Sequence, residues 1–457
     1  MPLPTSILQM LETNNVHYEL RECLPKLPVA SAPQACLVKS LLLKDSQGLV
    51  QVLLPWNCIL DLDAVTNEFS RSLKALTQQE LKSTLDQAGL TAVPAIPQWQ
   101  KTMTLVDSSL LEFGTLWLET GDREQMLELK RDDFCAMVKA ANVASIASRA
   151  PEMVESSGGD CAQISASVQR FTQLRIQQRL EDTLELPPLP DTARRIIKLR
   201  ANPDADISDL TDIVELDPSL AAQVVSWAAS PYYSAPGKIK SVHDAIVRVL
   251  GFDMVLNLAL GLALGKTMST GVMSQKQIEA YWRHSISIAA VVEGLVTSIP
   301  REHRPAFGMS YLAGLLCNFG HLILAEVFPP YFTNITRHLD ANPHIQSHAI
   351  EQNIVGVGSC QIASWLLETW SMPTEVITAI RQQFNPSYQG DHAQYAHLLF
   401  VAEQLLARKG LGDRLPLPIP SKLFESLHLD PENAQATVDN VLESNEELNA
   451  IAAKMMD

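Results

Sequence analysis

The sequence predicts a two-domain protein: an N-terminal α/β domain with a mixed sheet and helices, followed by an all-α helical bundle. Three observations predict this architecture. The chain has 457 residues, about three times the length of a typical domain. Short apolar runs with strand character are concentrated in about the first 140 residues. From Leu186 onward, helix signals follow one another with short joints for about two hundred residues.

Composition and charge limit the possible functions. Apolar residues make up 46% of the chain and charged residues 19%, which is typical of a soluble globular protein. The formal net charge is −16, and residues 1–140 alone carry 12 basic and 17 acidic side chains. This excess of acid disfavours non-specific binding of nucleic acid. The first 15 residues lack the basic start and apolar run of a signal peptide, so we expect a cytoplasmic protein.

The cysteines and the apolar stretches have structural interpretations. The seven cysteines are scattered, with no Cys-x-x-Cys pair and no zinc-binding spacing, so we interpret them as reduced packing residues. Met254–Leu264 is too short for a membrane span, and Tyr311–Phe328 contains Asn318, His321 and Glu326. Both stretches are therefore predicted to be buried helices, and no membrane association is expected.

The N-terminal α/β domain is predicted over residues 1–142. Its candidate strands are four apolar runs, which read CLVKSLLL, LVQVLLP, MTLVD and GTLWLET. Residues 143–172 are rich in Ser, Ala and Gly, with Pro151 and the Gly158-Gly159 pair as breakers. This composition is typical of a linker.

The helical domain is predicted over residues 173–400, with recognisable helix starts. Asp206 is placed to cap a helix whose apolar residues follow at three-to-four spacing. Asp217-Pro218 is typical of a helix start, because proline at the first helical position loses no hydrogen bond. Ser241-x-x-Asp244 has the form of a capping box, and Gly251 is placed to end that helix. An acidic, helix-prone tail over 401–457 follows, and it either docks on the bundle or forms a contact surface.

Five segments in unbroken order across about residues 180–390 resemble a known family. They read LPPLPDTARRIIKLRANPDADISDLTDIVELDPSLAAQVVSWAASPYYS, IKSVHDAIVRVLGFDMVLNLAL, YWRHSISIA, YLAGLLCNFGHLILAE and IASWLLETWSMPTEVITAI. Together they resemble an HDOD domain, a relative of the HD metal-dependent phosphohydrolases. The resemblance implies a bacterial signal-transduction role, in which the helical bundle binds a protein partner or a small-molecule signal.

The resemblance also implies that the metal site of the catalytic HD relatives is lost. Their chemistry needs imidazoles and a carboxylate around a divalent metal, with a His-Asp dipeptide as the hallmark. Cys317-Asn318 occupy the place of that dipeptide, Ser359 replaces another expected His, and the last ligand region reads Gln383-Phe384. Only His284 remains, and one imidazole does not hold a catalytic metal. We therefore predict no metal ligand, no cofactor and no catalysis here, as in a pseudo-phosphohydrolase.

The N-terminal segments resemble the YbaK/prolyl-tRNA editing family over about residues 1–140. They read SILQMLETNNVHYEL, CLVKSLLLKD, LVQVLLPWNCILDLDAV, LKALTQQELKSTLDQAGLTAVPAIP and MTLVDSSLLEFGTLWLETGDREQMLELKRDDFCAMV. Such domains hydrolyse the ester between a wrong amino acid and tRNA, and the resemblance places Lys39 at their characteristic lysine. On a strand, Lys39 shares its face with leucines. Four roles are open to the Lys39 side chain in this position. It binds a tRNA phosphate, it stabilises negative charge on an ester carbonyl, it extends to solvent, or it pairs with a carboxylate.

A loop and an aspartate complete the candidate site. The family has a glycine-containing loop that lets backbone amides approach the aminoacyl group, and the segment from Gly89 to Pro94 is the candidate here. It lacks a second glycine near Ala92-Val93, which either closes the pocket or narrows it to another substrate. We interpret Asp107 as a turn-forming residue after a strand.

Two functional hypotheses follow. In the first, the protein is a non-catalytic regulator that binds a protein partner or small-molecule signal at the helical domain and possible tRNA at the N-terminal domain. In the second, it is a trans-editing aminoacyl-tRNA deacylase controlled by the helical domain, with Lys39 as the catalytic residue and Gly89 and Pro94 in the substrate loop. A metal phosphohydrolase is disfavoured because the ligand types are missing. No oligomeric state is predicted.

Overall fold

The computed structural model describes residues 5–13, 16–22, 35–122, 125–151, 188–235, 237–266, 271–412 and 416–454. The chain divides into two compact units. The N-terminal unit comprises residues 1–153 together with 333–353, and the helical unit comprises 154–332 and 354–457. Most of the predicted linker, from residue 152 onward, lies outside the described residues.

The N-terminal unit is built on a mixed sheet, as predicted. Its strands are β1 Tyr18–Glu22, β2 Ala35–Asp45, β3 Gly48–Pro55, β4 Cys58–Leu60, β5 Lys74–Ala75, β6 Met103–Asp107, β7 Thr115–Glu119, β8 Gln125–Lys130, β9 Asn142–Ala144 and β10 Ala147–Arg149. Its main helices are α1 Thr5–Thr13, α2 Leu62–Phe69, α3 Gln78–Ala88 and α4 Arg131–Met137. All four strands expected from the sequence are confirmed, as β2, β3, β6 and β7.

The strand order of the main sheet is β1-β8-β7-β2-β3-β6-β9, with β5 paired to β2. The β2 strand is antiparallel to β3 and parallel to β7, which makes the sheet mixed. The short strands β4 and β10 form a separate antiparallel pair. Because β9 and β10 span residues that composition assigned to the start of the linker, the ordered domain continues beyond the predicted boundary at 142. Three-residue strands of small side chains carry too little apolar pattern to be predicted.

The two faces of β2 contribute to different core clusters. Cys36 and Val38 belong to the cluster that includes residues of α1. Leu41 and Leu43, on the opposite face, belong to the cluster that includes Leu62 of α2. This alternation follows from the two-residue period of a strand, and it places Lys39 on the same face as Leu41 and Leu43.

A segment from the middle of the predicted helical domain belongs to the N-terminal unit. Asn342 is fully buried, and its side chain accepts a hydrogen bond from the Leu60 amide (2.6 Å) and donates one to the Leu60 carbonyl (3.2 Å). His344 Nε2 lies 3.0 Å from the Cys58 carbonyl oxygen. Burial of His344 lowers its pKa to about 4, so the imidazole is neutral at physiological pH and donates this bond. Residues 333–353 thus satisfy the backbone of β4.

From residue 188 onward the described chain is helical, as predicted, and this includes the segment 333–353. The helices are α5 Asp191–Arg200, α6 Ile207–Glu215, α7 Pro218–Ala228, α8 Val242–Ala245, α9 Phe252–Lys266, α10 Gln275–Ser298, α11 Phe307–Leu315, α12 Phe319–Val327, α13 Pro329–Ala341, α14 Ser347–Val355, α15 Ser359–Thr369, α16 Thr374–Gln382, α17 Ala393–Arg408, α18 Ser421–Ser426, α19 Pro431–Glu443 and α20 Asn445–Lys454. The predicted tail boundary at 400/401 falls inside α17.

The predicted helix starts are confirmed. Asp206 caps α6, and Asp217 caps α7 through the amides of the second and third helical residues. Ser241 accepts a hydrogen bond from the Asp244 amide (3.0 Å) at the start of α8. The Asp244 side chain accepts from the Lys240 amide (3.2 Å) instead of the Ser241 amide, so only half of the predicted capping box is formed. One feature differs from the expectation of a single α-helix: residues 246–250 form a π turn, which ends at Gly251 with a φ of 80°.

The apolar stretches are buried in the core of the helical unit. In α9, every residue from Met254 to Gly265 is buried. Phe307–Val327 is long and apolar enough to cross a membrane, but 83% of its apolar window is buried inside the protein, as in the core helix of a soluble domain. The tail packs on the bundle, where Gly294 of α10 leaves room for Thr437 of α19.

Candidate functional site

Three metal-ligating side chains converge in the helical unit. They are His284 of α10, Cys317 between α11 and α12, and Glu403 of α17, and their ligand atoms all lie within 4.8 Å of one another. His284 Nε2 is 3.3 Å from Glu403 Oε1. Glu403 and Cys317 are almost fully buried, with 1% and 3% of their surface exposed. The cluster therefore lies below the surface of the bundle.

Two of the residues that replace the expected ligands, Cys317 and Gln383, are in contact. Gln383 donates a hydrogen bond from Nε2 to the carbonyl oxygen of Cys317 (3.0 Å) and another to Ile380 (3.0 Å). The last ligand region of the HD relatives is thus occupied here by an amide that binds backbone. Ser359 lies against α12 at Gly320, where an added Cβ would be 2.1 Å from the Ser359 carbonyl oxygen.

Glu403 was missed by the sequence interpretation. It lies in the helix HLLFVAEQLLA, beyond the segments that carry the HDOD resemblance, and it is the single acidic residue in that apolar run. A carboxylate on the buried face of an apolar helix signals a specific partner, because an uncompensated buried charge is strongly unfavourable. That signal was available from the sequence, but nothing local indicated that the partner is His284.

A second buried polar group in the helical unit is a chain of three side chains. Trp227 Nε1 donates to the hydroxyl of Tyr233 (3.2 Å), and this hydroxyl donates to Glu293 Oε2 (3.3 Å). Burial raises the pKa of Glu293 to about 7, although the hydrogen bond from Tyr233 opposes this shift. The fold therefore favours the protonated form of Glu293.

In the N-terminal unit, Lys39 forms an ion pair with Glu119. The distance from Lys39 Nζ to Glu119 Oε1 is 2.7 Å, and the two side chains are 26% and 21% exposed. The strand register explains this ion pair. Val38 of β2 lies opposite Leu118 of β7, so the residues that follow them, Lys39 and Glu119, are neighbours across the two strands. Of the alternatives for Lys39, the structure shows pairing with a carboxylate.

The predicted substrate loop is held by hydrogen bonds between its backbone and residues Gly121 and Gln51. Gly89 ends α3 with a φ of 66°, and the amides of Thr91 and Ala92 both donate to the Gly121 carbonyl oxygen (2.9 and 3.1 Å). These two amides are consequently engaged within the protein. The carbonyl oxygen of Pro94 accepts a hydrogen bond from Gln51 Nε2 (2.9 Å).

The Gln51 amide connects the loop to the strand of the lysine. Its Nε2 also lies 3.1 Å from Ser40 Oγ, and Ser40 follows Lys39 in β2.

Asp107 has the structural role expected of it: Oδ1 accepts from the Ser109 amide (3.0 Å), and Oδ2 accepts from the amides of residues 146 and 147 (2.9 Å each).

An open cleft of about 370 Å³ lies on the helical unit, between α5 and the end of α15. It is lined by Leu189, Arg194, Ile197, Lys198, Thr369, Trp370 and Ser371. Two cations and an indole ring are thus presented at one concave surface, a combination that suits an anionic or aromatic group.

These geometries define a class of protein with two modules, an editing-type mixed-sheet domain and an HD-type helical bundle with Cys317-Asn318 in place of the metal-binding His-Asp dipeptide. The profile of the aminoacyl-tRNA editing domain matches residues 27–136, and that of the HDOD domain matches residues 186–386. A crystal structure from Marinobacter aquaeolei VT8, provisionally assigned to signal transduction, is 41% identical over 100% of both chains with a TM-score of 0.86. This chain belongs to the family that joins an aminoacyl-tRNA editing domain to an HDOD domain.

More distant relatives share parts of this architecture. An HDOD domain protein from Geobacter sulfurreducens has 22% identity and a TM-score of 0.51, covering 64% of this chain and 99% of its own, and it shares the fold. A protein from Treponema pallidum (strain Nichols) with no assigned function is 23% identical over 279 residues. The match covers 61% of this chain and 52% of that protein, so the chain spans about half the length of this curated relative.

Proposed function

We propose that this chain is a cytoplasmic regulatory protein whose helical unit is a non-catalytic signal-transduction module. The observation that supports this most directly is Cys317-Asn318 at the place of the His-Asp dipeptide. A neutral amide cannot replace the carboxylate that a phosphohydrolase metal needs. Gln383, at the last ligand region, donates to the Cys317 backbone. The provisional assignment of the Marinobacter relative to signal transduction agrees with this proposal.

The cleft beside α5 is the proposed binding surface for a partner protein or an anionic signal molecule. Lys198 lines it and is exposed, so a charge reversal there changes the cleft without disturbing the core. We expect Lys198→Glu to abolish capture of the partner that full-length protein enriches from its native cytosol. Arg195→Glu is the matched control, because Arg195 is exposed on the same helix and is not among the cleft residues. Equal capture by both variants contradicts the assignment of the cleft.

A second function, trans-editing deacylation, is favoured by the position of Lys39 on β2. Its partner Glu119 neutralises the ammonium, which weakens a role in binding phosphate but keeps the side chain in one place. A hydrolytic role requires that Lys39→Ala abolish amino-acid release from mischarged tRNA. Lys44→Ala is the matched control, since Lys44 lies on the same strand and pairs with Glu80. The regulatory proposal expects no release by the wild-type protein.

A further inference from the structure

We propose that His284, Cys317 and Glu403 bind one zinc-class divalent cation in the helical unit. This inference goes beyond the proposed function and does not depend on it. The sequence interpretation, which did not include Glu403, predicts no metal at this position.

The spacing of the donors fits a tetrahedral ion. Two nitrogen or oxygen ligands about 2.0 Å from a tetrahedral zinc ion lie about 3.3 Å from each other. His284 Nε2 and Glu403 Oε1 are 3.3 Å apart, and the Cys317 thiol joins them within 4.8 Å. The three residues come from three different parts of the chain, so their convergence is a product of the fold.

The donor set selects the kind of metal. A thiolate is a soft ligand that favours zinc over magnesium, calcium or manganese, and imidazole and carboxylate are both common zinc ligands. The positive charge of the ion offsets the charges of a thiolate and a carboxylate that are almost completely removed from water. With three protein ligands, a tetrahedral ion keeps one further position.

The surroundings hold the imidazole in place. Gly412 has a φ of +85°, and a Cβ added there would be 2.6 Å from Cε1 of His284. The backbone of this loop therefore packs against the ring, and only glycine fits. Tyr281, one helical turn before His284 in α10, is also buried.

The test is the metal content of the full-length protein after incubation with zinc chloride and gel filtration. We expect about one zinc per chain in the wild-type protein, and at least a tenfold lower content in Cys317→Ser and Glu403→Gln. Cys360→Ser is the control for a buried cysteine outside the cluster, and Glu279→Gln is the control for an exposed glutamate. Gly412→Ala is expected to weaken zinc binding by about 10 to 100-fold through the His284 ring.

Cobalt substitution provides a measurement on the wild-type protein, which needs no variant to fold. A thiolate-to-cobalt charge-transfer band is expected on titration with cobalt chloride, and added zinc should remove it. A wild-type protein that retains no zinc and shows no such band overturns the proposal. Equal loss of zinc from Cys360→Ser and Cys317→Ser also overturns it, because the ion would then depend on general stability. Neither result bears on partner capture through the cleft, so failure here is distinguishable from failure of the regulatory proposal.

Discussion

Replacing Glu293 by glutamine is expected to stabilise the helical unit above neutral pH. The glutamate is largely buried and accepts a hydrogen bond from Tyr233, and burial raises its pKa from 4.5 to about 7. Ionising such a group costs the folded protein about 3 kcal/mol relative to the unfolded chain. Partial solvent access makes this value an upper limit. Glutamine keeps an oxygen that accepts from Tyr233 and carries no charge.

The sign of the pH dependence follows from the two protonation states. Below pH 4.5, Glu293 is protonated in the folded and unfolded chain, and it adds no pH dependence. Between pH 4.5 and about 7, the unfolded chain releases this proton while the folded protein retains it. The wild-type protein therefore loses stability as the pH rises through this window. The Glu293→Gln variant lacks this loss, so the difference between the two proteins grows from near zero to as much as about 3 kcal/mol.

The assay is urea unfolding followed by tryptophan fluorescence at several pH values from 4.5 to 8. The Glu279→Gln variant is the matched control, because Glu279 is exposed on the same helix, α10. It should follow the wild-type curve. Parallel pH curves for the wild-type protein and Glu293→Gln, or a variant that is less stable at pH 8, would refute the reasoning.

Two further predictions concern packing. Asn342→Ala leaves the amide and carbonyl of Leu60 without their side-chain partner, so we expect a loss of about 2 to 4 kcal/mol in the free energy of unfolding. Faster hydrogen exchange at the Leu60 amide should accompany it, and unchanged exchange argues against the contact. Gly320→Ala places a Cβ 2.1 Å from the Ser359 carbonyl oxygen and should destabilise the helical unit by about 1 to 3 kcal/mol, measured by thermal unfolding. Gly271→Ala, where the added Cβ meets nothing within 4 Å, should leave the melting temperature unchanged.

Features of the fold that depend on residues close together in the sequence could be predicted from it. The strands β2, β3, β6 and β7 carry strong apolar patterns, and Asp206 and Asp217 cap helices through amides two or three residues away. The pairing of Asn342 with Leu60 joins residues 282 positions apart, and no local pattern encodes it. The same holds for the membership of 333–353 in the N-terminal unit, since the helix period predicts a helix but not what it packs against.

The candidate-site residues also separate into features that the local sequence predicts and features that only the tertiary structure decides. Lys39 was indicated by the editing-family resemblance and by its position among leucines on an apolar strand, but its partner Glu119 is set by the parallel register of β2 and β7. The amides of the Gly89 to Pro94 loop were expected to face a substrate, and the fold uses those of residues 91 and 92 to bind the Gly121 carbonyl. Sequence thus indicated which side chains are chemically notable, while tertiary pairing decides what they contact.

The proposed metal site does not depend on the His-Asp dipeptide of the HD phosphohydrolases. The HD phosphohydrolases use the carboxylate of their His-Asp dipeptide, and the family resemblance places Asn318 at that position. Metal binding needs only converging donors, and Glu403 supplies a carboxylate from a helix outside the HDOD match at 186–386. A thiolate at Cys317 then changes the preference of the site from hard ions to zinc. A domain without that dipeptide can therefore bind an ion through donors from other parts of the fold.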